Sequence, residues 1–281
     1  MKAKNNNIIP AAATKMTALI AISLVFMVMS GCSGYQKLVK SSDYGKQYDA
    51  AMNYFDKGDY TRALQLYEIV LPFYRGTEKA GLIYFKRAKC YYAQGDYIMA
   101  SYNFKTFAKN YPASALAEEA LYLDAYCSFL DSPEYSLDQT STYDALEALQ
   151  LFLNLYPNSE RAAKCNDLMD ELRGKLEKKD YEIAKLFYYM GDYQSAITCF
   201  KNVYKDYPNS RYKEDLLFLT LKAYCSFAAN SVPARKKERY KGALESYSTF
   251  VTFYPESKYL KEAKSLQAQA QQEFNMLNVN N

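Results

Sequence analysis

Cysteine is the natural nucleophile of this chain, and its six cysteines fall into two groups. Cys32 stands alone at the point where an apolar run ends, in VMSGCSGY (residues 28–35), and is the candidate for covalent chemistry. Cys90, Cys127, Cys165, Cys199 and Cys225 are scattered, and no two are at C-x₂-C spacing. Neither a zinc site nor a dithiol redox motif is therefore predicted, and no metal or cofactor is expected. Their odd number argues against a disulfide framework, so buried free thiols packing as small apolar groups are the expectation. The sequence has no histidine, which removes the commonest general base and the commonest metal ligand. Carboxylate pairs such as Glu118-Glu119 fall on helical segments, where water-facing charge is the simplest reading. With no nucleophile elbow and no phosphate-binding loop either, the chain is expected not to be an enzyme.

The surroundings of Cys32 say what its thiol is for. Before it come Lys2, Lys4 and Lys15, no acid, and then a fourteen-residue apolar run, Met16–Met29. That run rises only ~21 Å as a helix, short of a ~30 Å hydrocarbon layer. A basic lead, a short apolar centre and small residues at the exit predict a secretory signal over residues 1–31. Met29-Ser30-Gly31-Cys32 resembles the lipobox of bacterial lipoproteins, with Met29 where leucine is usual. The resemblance implies cleavage before Cys32 and acylation of its thiol and new amino terminus. Three acyl chains of that kind anchor stably where one would not. Ser33, in place of an aspartate that marks inner-membrane retention, and the lack of an acidic run in SGYQK imply an outer-membrane, periplasm-facing lipoprotein. Three of the 35 basic residues and none of the 31 acidic ones lie in residues 1–31, so the net charge falls from +4 to +1. A nearly neutral chain argues against nucleic acid as a partner, and 49% hydrophobic residues suffice for a core.

Internal repetition decides the fold class. Gly58-Asp59-Tyr60, Gly95-Asp96-Tyr97 and Gly191-Asp192-Tyr193 are each followed by alanine at 63, 100 and 196, and four residues later by Tyr67, Phe104 and Phe200. Pro112 and Pro208 close the second and third of these segments. Ala145, Leu149, Phe152 and Pro157 recur at the same offsets as Ala243, Tyr247, Phe250 and Pro255. The pentapeptide AYCSF occurs at 125–129 and again at 223–227. Each unit reads as helix, Gly-Asp turn, helix, with aspartate able to cap the second helix and proline ending it. The spacing resembles the tetratricopeptide repeat and predicts an all-α solenoid of five helix-turn-helix repeats. Repeats three and five are stretched by SPEYSLDQTST and NSVPARKKER, both loop-like in composition. Between repeats three and four, residues 158–193 lack proline and carry Leu168, Leu172, Leu176, Ile183 and Leu186 at helical period, predicting a long connecting helix, or two nearly continuous ones, with Gly174 as the weak point. The mixed charges from Glu171 to Glu182 read as a water-facing side.

The organisation expected is a signal peptide (1–31), a lipidated linker (32–43), an N-terminal module of repeats 1–3 (44–157), a C-terminal module of the long helix and repeats 4–5 (158–266), and a polar tail (267–281). In the tetratricopeptide family the first helix of each repeat lines the ligand-binding face. That resemblance places Tyr48, Met52, Phe55, Phe85, Lys89 and Tyr92 in a substrate groove, against the simpler reading that they pad helix packing.

Lipobox, repeats filling the mature chain, a stretched third repeat and the connecting helix together resemble the BamD family, lipoproteins of the outer-membrane β-barrel assembly machinery. The likeness is carried by Cys32, NYFDKGDYTRALQLYE, and the span from Tyr156-Pro157-Asn158-Ser159 through Leu172, Leu176, Tyr181, Ala184, Tyr188 and Gly191 to Tyr207-Pro208-Asn209-Ser210. Asp180 stands where the family usually has glutamate. The resemblance implies a non-catalytic scaffold that binds the POTRA-bearing barrel subunit and unfolded outer-membrane barrel precursors, with other lipoproteins of the machinery as further partners. Arg235, Lys236, Lys237, Arg239 and Lys241 form a basic cluster that opens the second helix of repeat five, read either as a solvated loop and helix face or as an electrostatic dock for an acidic partner. A tetratricopeptide adaptor tethering peptidoglycan enzymes is the alternative; a glycan-binding lipoprotein would need more chain outside the repeats.

Overall fold

The structure, a computed structural model, describes residues 32–279. The signal segment 1–31 lies outside the described residues, as do the side chains of Cys32, Ser33 and Val279. Twelve α-helices and no strands occur among the described residues. They are α1 (Cys32–Val39), α2 (Tyr44–Asp56), α3 (Tyr60–Tyr74), α4 (Glu78–Ala93), α5 (Tyr97–Asn110), α6 (Ala117–Asp131), α7 (Thr140–Leu155), α8 (Ala162–Tyr189), α9 (Tyr193–Asp206), α10 (Lys213–Ala229), α11 (Pro233–Phe253) and α12 (Leu260–Val279). The described residues divide into two compact units, one ending at Asp131 and the other beginning at Ser132. The division falls in the stretched connection of repeat three.

Two kinds of turn make the repeats. At Gly58, Gly95 and Gly191 the backbone takes φ of +76°, +78° and +82°, the left-handed region that glycine enters without a Cβ penalty. The next N–H then reaches back to the preceding helix: Asp59 to Tyr54 O at 2.9 Å, Asp96 to Tyr91 O at 3.0 Å, and Asp192 to Phe187 O at 3.0 Å. The same aspartates accept from the N–H groups of Arg62, Met99 and Ser195, capping α3, α5 and α9.

The second turn is Tyr-Pro-x-Ser, found after α5, α7, α9 and α11. Tyr111, Tyr156, Tyr207 and Tyr254 end these helices with extended φ between −121° and −133°, the conformation a following proline imposes. Ser114, Ser159, Ser210 and Ser257 each donate a backbone N–H to the tyrosine carbonyl. Their hydroxyls accept from Leu116, Arg161, Tyr212 and Tyr259 N–H.

In both units each helix packs on the next: α1 through α6 in the first, α7 through α12 in the second. Ala63, Ala100, Ala145, Ala196 and Ala243 are fully buried, which lets neighbouring backbones approach, and Tyr67, Phe104, Phe152, Phe200 and Phe250 fill the space beside them. The five cysteines after Cys32 are all free. Burial pushes the Cys90 and Cys127 thiols up to about 12, so they pack as apolar groups.

Four expectations change. The linker after Cys32 is ordered as α1, because buried Gln47 donates its amide to the carbonyls of Leu38, Val39 and Ser41. Of NSVPARKKER only residues 230–232 are loop; α11 begins at Pro233, whose fixed φ suits a first helical turn, and the basic residues after it are good helix formers. The tail at 267–281 is helical as far as Val279, with Phe274 and Leu277 packed on the core of the second unit. The charged face of α8 does not merely meet water. Lys175 donates to Ser132 O and Oγ, Lys179 donates to Leu137 O at 2.6 Å, and the Lys178 ammonium lies 4.0 Å from the Tyr135 ring centroid. These lysines pin the repeat-three insertion onto α8. The helix itself runs unbroken for 28 residues through Gly174.

Candidate binding surfaces

In the first unit α2, α4 and α6 are the first helices of three successive repeats, and ion pairs tie them side by side. Lys86 on α4 bridges to Asp56 on α2 at 3.1 Å, and its ammonium sits 4.2 Å from the Phe55 ring centroid. One turn on, Lys89 bridges to Glu119 on α6 at 2.7 Å and lies 5.4 Å from the Phe85 ring. Tyr92 follows on the same side of α4; burial first, then the neighbouring Tyr126, Cys127, Tyr97 and Tyr122, raise its phenol pKa. On α6, Tyr122, Tyr126 and Phe129 form a stack with centroids 6.0 and 6.1 Å apart and planes within 12° of parallel. The result is one face of half-buried aromatic rings interleaved with paired lysines, suited to apolar and aromatic side chains by stacking and burial.

The six expected groove residues divide on this face. Phe55, Lys89 and Tyr92 belong to it. Met52 is half-buried and accepts from the Tyr67 hydroxyl at 3.2 Å. Tyr48 and Phe85 are core residues, 9% and 7% exposed. Tyr48 turns toward Tyr74 and Lys79, and Phe85 sits between Phe104 and Phe107. Residues 48, 52 and 55, like 85, 89 and 92, share one side of their helices by spacing; what separates them is cover, since Tyr74 packs over Tyr48, and Phe104 and Phe107 pack over Phe85. Lys86, Tyr122, Tyr126 and Phe129 were missed. AYCSF, read only as a mark of internal repetition, already contained Tyr126 and Phe129.

The second unit joins its first helices through Asp215 on α10. Its carboxylate accepts from Tyr259 Oη at 2.6 Å and Tyr181 Oη at 3.4 Å, linking α8, α10 and the residues before α12. Tyr181 stacks on Tyr212 at 4.1 Å and Phe218 on Tyr259 at 4.3 Å. Lys222 pairs with Glu262 at 2.9 Å. Asp180 accepts from Tyr207 Oη at 2.8 Å; burial and this carboxylate raise the Tyr207 phenol pKa.

The basic cluster on α11 is not one patch. Arg235 and Arg239 face a furrow of about 740 Å³ between α9 and α11, with Lys201, Lys241 and Tyr224, whereas Lys236 and Lys237 do not line it. The Arg239 guanidinium stacks 3.6 Å over the Phe227 ring and donates to Ser231 Oγ.

A family model described as "YfiO: Outer membrane lipoprotein" matches residues 41–241. The chain belongs to this YfiO/BamD family. Among relatives, a Caulobacter vibrioides protein named "Outer membrane protein assembly factor BamD" is 25% identical over 220 residues, covering 77% of this chain and 72% of its own. A Neisseria gonorrhoeae protein of the same name is 25% identical over 228 residues, covering 78% and 82%. Among solved structures, the tetratricopeptide domain of P58(IPK) covers 86% of this chain and 68% of its own, at 16% identity and a TM-score of 0.39, a likeness on which nothing rests. In this YfiO/BamD chain, Cys32 is the first described residue and opens α1, and no described helix is long and apolar enough to cross a membrane.

Proposed function

We propose that this chain is an outer-membrane-anchored, periplasm-facing scaffold lipoprotein of the β-barrel assembly machinery. Acyl chains on Cys32 hold it to the membrane. Repeats 1–3 (44–157) engage unfolded outer-membrane barrel precursors, and the module at 158–266 docks the POTRA-bearing barrel subunit through its basic cluster, Arg235, Lys236, Lys237 and Arg239. The observation that carries this reading is the family match, supported by relatives named as outer-membrane protein assembly factors. The face on α2, α4 and α6 supports the precursor role. Barrel strands alternate apolar and polar side chains, and rings flanked by lysines offer stacking and burial without demanding one sequence. Ordering an extended ligand offsets much of that gain, so binding in about the micromolar range is the expectation.

Crosslinking tests the precursor role. A photoreactive residue at Tyr92 or Tyr126 should capture an unfolded barrel precursor in the cell envelope, and the change Phe55→Ala with Tyr126→Ala should reduce that yield severalfold without lowering helicity. Capture that is equally strong from exposed Tyr102 on α5, or unaffected by the double change, would contradict the assignment of this face.

A further inference from the structure

The furrow between α9 and α11 has the build of a binding site and not of a chance gap. Two adjoining hollows, about 740 and 310 Å³, share Lys201, Tyr224, Gly242 and Glu245 and run along the second helices of repeats four and five. Gly242 makes this shape possible: a Cβ there would lie 2.5 Å from Tyr224 Cε1, so only glycine lets that ring lie flat on α11. Lys201 Nζ, 2.7 Å from Tyr224 Oη, holds the ring from the other wall.

The furrow is uneven in charge and polarity along its length. The larger hollow carries Lys201, Arg235, Arg239 and Lys241 against Glu238 and Glu245, an excess of two positive charges. The pairs available to offset them are long and exposed: Arg235–Glu238 at 3.5 Å and Lys241–Glu245 at 3.8 Å. Pairs of that kind contribute little and exchange readily for a better partner. The smaller hollow is lined by Phe200, Tyr204, Leu217 and Thr220. One end thus favours carboxylates and the other apolar side chains.

We infer that this furrow is the seat of an acidic, amphipathic segment of a partner polypeptide, its carboxylates on Arg235, Arg239 and Lys241 and its apolar residues against the half-buried rings of Tyr204 and Tyr224. The inference rests on the scaffold reading and narrows it. Docking through the basic cluster belongs to Arg235 and Arg239 within a cleft, while Lys236 and Lys237 contribute only diffuse charge. Desolvated carboxylate–guanidinium contacts in such a cleft govern dissociation, whereas outlying charges act on association rate.

The test uses the full lipidated chain in mild detergent and a fluorescent synthetic peptide of glutamate and leucine in amphipathic helical order. The expected result is saturable binding that weakens about tenfold or more with Arg235→Glu plus Lys241→Glu, but less than about threefold with Lys236→Glu plus Lys237→Glu. Thr198→Trp, a neutral plug on the exposed wall, should weaken binding comparably without altering charge. Equal binding of the lysine–leucine counterpart, equal loss from the two charge-reversal pairs, or indifference to the plug would overturn the inference. So would displacement of the peptide by phosphatidylglycerol vesicles with the same variant dependence, which would make the furrow a lipid-headgroup site. Co-purification of the barrel subunit is scored separately. If it persists in furrow variants, the scaffold reading stands and the furrow assignment falls.

Discussion

Asp124 shows how far one side chain can depart from its usual chemistry in this fold. It is 3% exposed on α6, accepts from Ser101 Oγ on α5 at 2.6 Å, and is pushed up to about 6 by burial, with Ser101 and Lys105 opposing the shift. Its folded pKa lies above the ~3.9 of an unfolded aspartate, so the fold favours the protonated form. The stabilising contribution is complete below about pH 4 and is lost as pH rises through 6, on the order of 3 kcal/mol in all. Denaturant melts between pH 4 and pH 7.5 should show this slope, and Asp124→Asn should flatten it; an unchanged slope would place the titration elsewhere. Gly242 makes the opposite kind of demand. Gly242→Ala forces the Tyr224 ring to move and should cost about 1–3 kcal/mol in an otherwise wild-type chain, but much less when Tyr224 is alanine. At this scale the sequence reveals residue type and not direction. The fully buried alanines and the aromatics beside them were legible because they recur, whereas Tyr48 and Phe85 were misplaced because spacing puts them on one helix side with Phe55 and Tyr92 and does not tell which part of that side a neighbouring helix covers.

Among the elements, turns proved more informative than helices. The Gly-Asp turn could be read in advance because glycine and aspartate have few other reasons to recur together. Tyr-Pro-x-Ser was legible only in part: two of its four copies carried the family likeness, but nothing in their spacing signals that each serine hydroxyl accepts the N–H two residues on, just before the next helix. Asp96→Ala should therefore cost about 1 kcal/mol, and Ser210→Ala a similar or smaller amount, in equilibrium unfolding. The repeat-three insertion gives a sharper case. Its composition predicts a loop, and residues 132–139 are non-helical, but Lys175 and Lys179 hold its carbonyls from 43 and 42 residues away. No local pattern can signal bonds of that separation. Changing both lysines to methionine should raise hydrogen exchange across 132–139 while leaving exchange in α8 nearly unchanged. Protection that survives the double change would mean that Gln139, which donates to the carbonyls of Glu134 and Leu137, orders the loop alone.

For the whole molecule, fold class and family were legible because a repeat states itself several times in one chain, and each restatement constrains the others. The role of a binding face was less so, since tetratricopeptide helices present many rings and only packing separates core from surface. The anchor belongs to this scale as well. If Cys32 carries the proposed acyl chains, Cys32→Ala should release the protein from the membrane fraction, because stable attachment of that kind needs more than one chain; persistence at the membrane after partners are stripped by high salt would contradict the lipid assignment.

Whether this chain is a scaffold for barrel assembly is decided by extracting the envelope in mild detergent, isolating the wild-type protein and identifying what remains bound by mass spectrometry. A large outer-membrane barrel bearing POTRA domains is expected in near-stoichiometric amount. Recovery of peptidoglycan hydrolases or synthases in its place, with no such barrel, would contradict that role.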